Sequence, residues 1–247
     1  MKSILITGCN RGLGLGLIKC LVKDTNSPKI IIATCRNKNK AQELTSIAET
    51  NKNVHILELD VTKTDSFECF AGEVSKIVDE NGLNVLFNNA GYSPKSTRIS
   101  AVKAEQMMET YAVNTVGPLM LTKALLPLLK KAADANQDQP LGSSRCAVIN
   151  MTSMLGSMSM NDVGGLYPYR CSKAAINMAT KSLSIDLKSD GILATCVHPG
   201  WVKTDMGGSN APMDVETSVT GMVRLVKDLS EVHNGQFYQW DGKKLEW

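Results

Sequence analysis

No Cys-x-x-Cys pair occurs among the seven cysteines (Cys9, Cys20, Cys35, Cys69, Cys146, Cys171, Cys196), whose number is odd and whose spacing is scattered. Such a pattern specifies neither a disulfide framework nor a zinc site, and it fits reduced thiols in a cytoplasmic protein. Aromatics are scarce, at 5% of the chain, and neither sign of charge dominates: 27 Lys and Arg face 24 Asp and Glu, leaving a formal +3. A surplus that small and dispersed excludes the basic footprint of a nucleic-acid binder. Long uncharged runs are also missing. Leu119–Leu129 is broken by Lys123, and the apolar start Met1–Gly8 is too short for a signal peptide, so no membrane partner is expected. With 43% hydrophobic and 21% charged residues over 247 positions, the expectation is a soluble chain that buries a sizeable core.

What is present is an alternation. Short β-branched or apolar runs recur at Ser3–Thr7, Lys29–Thr34, His55–Leu59, Asn84–Asn88, Cys146–Met151, Leu193–His198 and Gln236–Trp240. Between them Leu13–Lys23, Lys40–Glu49, Phe67–Glu80, Glu105–Ala133, Tyr169–Lys188 and Pro212–Leu229 carry apolar residues at helical spacing. Alternating strands and helices with right-handed crossovers predict a single α/β domain over 1–247, a doubly wound parallel sheet of about seven strands of the Rossmann type. No repeat or linker divides the chain. The loop Met206–Pro212 follows a strand's carboxyl end, where open α/β sheets bind ligands, and could cover a substrate.

Thr7-Gly8-Cys9-Asn10-Arg11-Gly12-Leu13-Gly14 joins the first strand to the first helix. Glycines there let the backbone turn sharply and approach a pyrophosphate, which the helix N-terminus favours. The spacing is Gly-x-x-x-Gly-x-Gly and not the Gly-x-Gly-x-x-Gly of the common fingerprint, but its strand-to-helix context assigns Gly8, Asn10, Arg11, Gly12, Leu13 and Gly14 to a nucleotide. About 20 residues further on, an acid would mark NAD by accepting from the ribose. The chain reads Ala33-Thr34-Cys35-Arg36-Asn37 and holds no acid there. Arg36 offers a planar, permanently charged fork to a 2′-phosphate, and Arg11 adds a second charge, so the expected cofactor is NADPH/NADP in preference to NADH.

Of the five tyrosines only Tyr169 has a lysine four positions later. Residues i and i+4 share a helix face, so Lys173 can place its ammonium near the phenol, and a nearby positive charge is expected to lower the tyrosine pKa toward useful proton transfer. Ser153 ends the apolar run Ala147–Thr152 and so puts a hydroxyl at the ligand-binding edge. It can donate to a carbonyl oxygen as charge develops there; a cap or loop serine is the other reading.

With these residues in view, the chain resembles the short-chain dehydrogenase/reductase family from Ser3 nearly to its end. The matching motifs are Thr7-Gly8-x-x-x-Gly12-x-Gly14, Asp60-Val61, Asn88-Asn89-Ala90-Gly91, Asn114, Ser153, Tyr169-x-x-x-Lys173 and Pro199-Gly200-x-Val202-x-Thr204. Asn234-Gly235-Gln236-Phe237-Tyr238, Asp241-Gly242 and Trp247 narrow the resemblance to sniffer-like and C-factor-like carbonyl reductases within it. The resemblance implies Tyr169 as general acid in reduction or base in oxidation, Ser153 as the group polarising the substrate oxygen, and Lys173 as ribose ligand and tuner of Tyr169. It implies that Asn114 helps hold a proton-relay water, that Asp60 and Val61 meet adenine, that Asn89, Ala90 and Gly91 line the cofactor, and that Thr204 and Val202, after Pro199-Gly200, hold the carboxamide. Direct hydride transfer without a metal and a homodimer or homotetramer are also implied. One departure is the sixteen positions between Ser153 and Tyr169, a few more than many members show.

Around Ser153 cluster Met151, Met154, Met158 and Met160, adaptable thioethers suited to a permissive pocket or to core packing. Ser153, Met154, Tyr167, Tyr169, Trp201 and Met206 are the candidate substrate contacts. The function expected is an NADPH-dependent carbonyl reductase acting on a small aldehyde or ketone. An NAD(P)-dependent alcohol or steroid dehydrogenase working oxidatively is the first alternative, and a catalytically silent dinucleotide sensor is the second.

Overall fold

The computed structural model describes residues 1–94 and 98–247. Seven strands, β1 (Ser3–Ile6), β2 (Ile30–Cys35), β3 (Val54–Glu58), β4 (Val85–Asn88), β5 (Ala147–Met151), β6 (Leu193–His198) and β7 (Phe237–Gln239), form one sheet in the order 3-2-1-4-5-6-7. Every pairing between neighbouring strands is parallel. The sheet grows outward from β1 in one direction and from β4 in the other. That reversal opens a crevice at the strands' carboxyl edge, which is where such sheets bind ligands.

The strands are mainly apolar because both faces are covered. Ile4 and Ile6 of β1 point into a core shared with α1 (Gly12–Lys23) and α7 (Val215–Lys227), which includes Leu17, Leu21, Val219 and Met222. Leu5, between them, points the other way into a core with α3 (Phe67–Val78) and α5 (Gly117–Ala135), which includes Phe67, Phe70, Leu121 and Leu125. The period of two along a strand thus builds two cores from one run. The remaining helices are α2 (Gln42–Thr50), α4 (Ala104–Tyr111) and α6 (Tyr167–Asp186).

Two sequence expectations are corrected. The helix read over Glu105–Ala133 is interrupted: five residues, Ala112–Val116, form a π turn between α4 and α5. The helix read from Pro212 starts at Val215, because Met213 is drawn into a bridge with Val202, Lys203 N–H donates to the Met213 carbonyl (2.8 Å), and Asp214 caps Thr217 N–H (2.7 Å). Among the described residues Ala104–Ala135 is long and apolar enough to cross a membrane by length and composition, with a mean hydropathy of 1.4 in its most apolar window, although Lys123 interrupts it as the sequence indicates. Its apolar character has a local use: Leu121, Leu125 and Leu129 are buried against the sheet.

After β7 the chain turns at Asp241–Gly242 and comes back beside it, Leu245 N–H donating to the Phe237 carbonyl (2.8 Å). Trp247 then stacks on Phe237 (centroids 5.5 Å apart), and its main-chain oxygen accepts from Ser159 N (3.1 Å) and Ser159 Oγ (2.8 Å). The long segment between Ser153 and Tyr169 is fastened there.

Candidate active site

The glycine loop is held in shape by its neighbours. Gly8 and Gly12 adopt left-handed φ values of 72° and 56°, which glycine takes without a Cβ penalty. Thr7 Oγ1 accepts from the Asn89 and Ala90 N–H groups (3.0 and 2.9 Å), and the Asn89 amide donates to the Thr7 and Gly8 carbonyls (2.7 and 3.2 Å). Asn89 therefore shapes the loop with its side chain. The N-terminus of α1 has no side-chain cap and its first turn contains no acid. Uncapped N–H groups beside Gly12, Leu13 and Gly14 leave that helix end disposed toward an anion such as a dinucleotide pyrophosphate.

At the end of β2, Arg36 is exposed and stands near Asp60. Burial works against the Asp60 carboxylate, but hydrogen bonds from Thr62 Oγ1 (2.7 Å) and Thr62 N (3.0 Å), with the Arg36 and Lys63 charges, hold it below the usual carboxylate range. Arg11 behaves differently: it is paired with Asp205 in the loop after β6. Nothing in sequence spacing pointed to that partner, 194 positions away.

Deeper in the crevice the structure brings Gly91, Asn114, Ser153, Tyr169 and Lys173 together. A Cβ on Gly91 would lie 3.5 Å from Asn114 Oδ1 and 3.8 Å from Lys173 Nζ. Asn114 sits in the π turn, an element that recurs at functional sites. Its side chain is fully engaged, accepting from Tyr92 N (2.8 Å) and donating to the Tyr92 carbonyl (2.8 Å) and to Ser172 Oγ (3.0 Å). Ser153 Oγ accepts from Leu155 N–H (3.1 Å), so the cap-serine reading holds, and its own proton stays available. Tyr169 lies beside Ser153, whose hydroxyl favours the phenolate. Helix α6 is aimed at this point by three consecutive left-handed residues, Gly164, Gly165 and Leu166, the last at φ 49°, a conformation that leucine adopts only under constraint.

Lys173 is almost wholly buried (3% exposed), donates to the Met151 carbonyl (2.8 Å), and lies 5.6 Å from the centroid of the Tyr169 ring. The electrostatics correct the expectation for this pair. Burial lowers the Lys173 amine to about 8, while burial pushes the Tyr169 phenol up to about 12. Desolvation of the phenolate outweighs the opposing Ser153 hydroxyl, so Tyr169 is a protonated acid at neutral pH.

The Lys173 shift carries a stability signature. Unfolded, the amine keeps its proton to about 10.5, and folded only to about 8. Between those values the unfolded chain binds more protons, so stability rises with pH. In the cofactor-free protein the wild type should therefore gain stability relative to Lys173→Met as pH rises through that window and hold a constant difference below it. Urea unfolding at stepped pH measures this, and a difference that falls over the window would refute it.

Pro199, Gly200, Val202 and Thr204 follow β6. Gly200 takes φ 86° where a Cβ would press on Met213 and Trp240. Val202 is buried, and Thr204 Oγ1 accepts from Gly207 N–H (3.1 Å) with its methyl 3.6 Å from where a Gly12 Cβ would lie. This places the carboxamide candidates beside the glycine loop. Met154, Tyr167, Trp201 and Met206 are all partly exposed apolar residues adjacent in sequence to these groups.

A family model described as short chain dehydrogenase matches residues 2–214. The chain is a short-chain dehydrogenase. Among solved structures, this short-chain dehydrogenase is similar to the carbonyl reductase Sniffer of D. melanogaster at 52% identity and a TM-score of 0.99, with all of both chains covered. It is similar to an NADPH-bound carbonyl reductase from chicken fatty liver at 40% identity and a TM-score of 0.94, covering 100% of this chain and 99% of that one. The C-signal protein of Myxococcus xanthus is 39% identical over 165 residues, 67% of this chain and 93% of that protein.

Sequence reasoning missed two things at the site of this dehydrogenase. One is Asp205. The other is a buried polar row beneath Lys173, in which Asn88 Nδ2 donates to Asn150 Oδ1 (2.8 Å) and Asn150 Nδ2 to Thr180 Oγ1 (2.8 Å), tying β4 and β5 to α6. Polar residues inside otherwise apolar strands were the available signal.

Proposed function

We propose that this short-chain dehydrogenase is an NADPH-dependent carbonyl reductase that converts an aldehyde or ketone to an alcohol. The observation that carries the reading is the convergence of Tyr169, a buried Lys173 5.6 Å from its ring centroid, Asn114 and Gly91 at the carboxyl edge of the sheet, with Ser153 capping the turn that follows β5. NADPH, when bound, supplies the hydride. Ser153 donates a hydrogen bond to the carbonyl oxygen, Tyr169 delivers the one proton that oxygen takes up as negative charge develops, and Lys173, with a pKa near 8, exchanges a proton close to neutral pH. Reduction uses Tyr169 with its proton and oxidation uses the phenolate. Met154, Tyr167, Trp201 and Met206 are the proposed walls for the substrate, and the cytosol is the proposed compartment, consistent with seven free cysteines.

Arg36 is the proposed reader of the 2′-phosphate, supported by the lack of an acid at the end of β2 and by NADPH in the chicken reductase structure. Arg36→Ala should weaken NADPH by roughly tenfold or more, the scale of a charge-assisted hydrogen-bond pair, and NADH little. Fluorescence titration with both dinucleotides checks this; equal losses would remove Arg36 from that role. The reading as a whole is tested by a panel of aliphatic and aromatic carbonyls assayed with NADPH and NADH. Dinucleotide binding without turnover on any of them would point to a sensing protein instead.

A further inference from the structure

The segment between Ser153 and Tyr169 carries this chain's departure in length, and it is fastened along its course. Near Ser153, Gly156 lies so close to α6 that a Cβ on it would stand 2.7 Å from the Lys173 carbonyl carbon, and Asn177 Nδ2 donates to the Gly156 carbonyl (3.3 Å). Near Tyr169, Asn161 Oδ1 accepts from Gly164 N–H (3.0 Å), just ahead of the left-handed residues that aim α6. Midway, Ser157 Oγ accepts from Met160 N–H (3.1 Å) and lies 3.1 Å from Ser159 Oγ. Ser159 itself gives both its donors to the Trp247 carbonyl, 88 positions away.

Trp247 is held by the edge of the sheet. Leu245 is buried with Phe237 and Cys196, Lys244 bridges Tyr238, and the Trp247 ring stacks on Phe237, which is wholly buried. The place of the Trp247 carbonyl is therefore set by β7 and passed to the segment through Ser159. Met158 and Met160 stand on either side of that anchor, exposed apolar side chains that follow Met154 along the segment and that the core does not take up. We infer that Leu245–Trp247 is a specificity strap: Trp247, through Ser159, is a positioning residue that holds Met154–Met160 as a preset wall for the apolar part of a large carbonyl substrate. This rests on the carbonyl reductase reading above. Thioether side chains on a loose segment lose backbone and rotamer freedom whenever a substrate packs on them, and on a fastened segment the backbone part of that ordering is already done. The benefit grows with the area of substrate laid against the wall. Small carbonyls draw little from it.

The test compares propanal with naphthaldehyde at saturating NADPH in the wild type, Ser159→Ala, Trp247→Ala, Trp247→Phe and the double variant of Ser159→Ala with Trp247→Ala. Trp247→Ala removes the stack on Phe237 and should raise KM for naphthaldehyde by about three- to tenfold, the scale of one surface hydrogen bond or one aromatic pair, while KM for propanal and kcat for both stay within about twofold. Ser159→Ala removes one of two donors and should give a smaller rise of the same kind. Trp247→Phe keeps a ring for the stack and should restore most of the wild-type value, and the double variant should match Trp247→Ala, because both substitutions act through one link. Amide hydrogen exchange over residues 155–160 should quicken in Trp247→Ala and not in Trp247→Phe. Equal losses on both carbonyls that track a fall in Tm would make the strap a brace of the fold and overturn the specificity role. An active wild type whose variants keep its KM values, or its exchange over that segment, overturns the strap alone. A wild type that turns over neither these two nor any other carbonyl of the panel overturns the reductase reading and the specificity role with it.

Discussion

Replacing Tyr169 with Phe is expected to lower carbonyl-dependent NADPH oxidation by roughly 10²- to 10⁴-fold while leaving NADPH affinity within a few fold of wild type. The substitution removes one hydroxyl and keeps the ring that lies over Lys173, so α6 and its contact with the end of β5 have no reason to move. The loss falls on proton delivery alone. With its phenol pushed up to about 12, Tyr169 carries a proton at every pH where the protein is useful, and the reductive rate should not collapse until the pH is alkaline. Ser153→Ala should cost less than Tyr169→Phe in kcat, since it removes a donor to the oxygen and leaves the acid. Steady-state kinetics on the best substrate of the carbonyl panel decide the matter; turnover unchanged in both variants would remove the site from the chemistry.

The second large effect is expected at Gly14. A Cβ there would overlap the Gly8 carbonyl and stand 2.7 Å from the Asn89 amide nitrogen. The loop has little room to retreat, because even a Cβ on Gly8 would meet Ala90 at 3.1 Å and Cys9 N–H is fixed to the Thr34 carbonyl (2.7 Å). Gly14→Ala should therefore break the bonds from Asn89 that shape the loop and destabilise the fold by about 1–3 kcal/mol or more. For a domain of this size that is a fall of several degrees in Tm, at roughly 2–4 °C per kcal/mol, together with loss of NADPH binding. Gly72→Ala is the matched control: it lies within α3, no atom stands within 4 Å of the added methyl, and it should raise stability by about 0.5–1 kcal/mol. Thermal unfolding of both variants separates the steric argument from any general intolerance of alanine.

The strands were legible in the amino-acid sequence because a parallel sheet covered on both faces needs uninterrupted β-branched and aliphatic runs, and Ile30–Cys35 and Leu193–His198 have little else. Tyr169 and Lys173 were legible because four residues make one helical turn. Legibility stopped where an effect depends on what lies across space. The sign of the Tyr169 shift follows from burial, which a pair of residues four apart does not reveal, and the Arg11–Asp205 contact joins loops on opposite sides of the sheet's switch point. The start of α7 was misread because Pro212 resembles a helix opener, whereas Met213 is taken by a bridge to Val202.

The π turn at Ala112–Val116 has a consequence for any attempt to regularise this helix. One residue is surplus to an α-helical count there, and removing it would turn α4 by about 100° relative to α5. Thr110, now buried, and Leu121 and Leu125 could not then all face inward. Nor could Asn114 reach both Tyr92 and Ser172. The surplus residue works like a vernier between two gears: it lets a sheet-facing helix and a site-facing helix be one piece of chain while each keeps its own phase. Shortening this segment by one residue should therefore be tolerated worse than lengthening the exposed connection after α5, at Gln137–Pro140, by several.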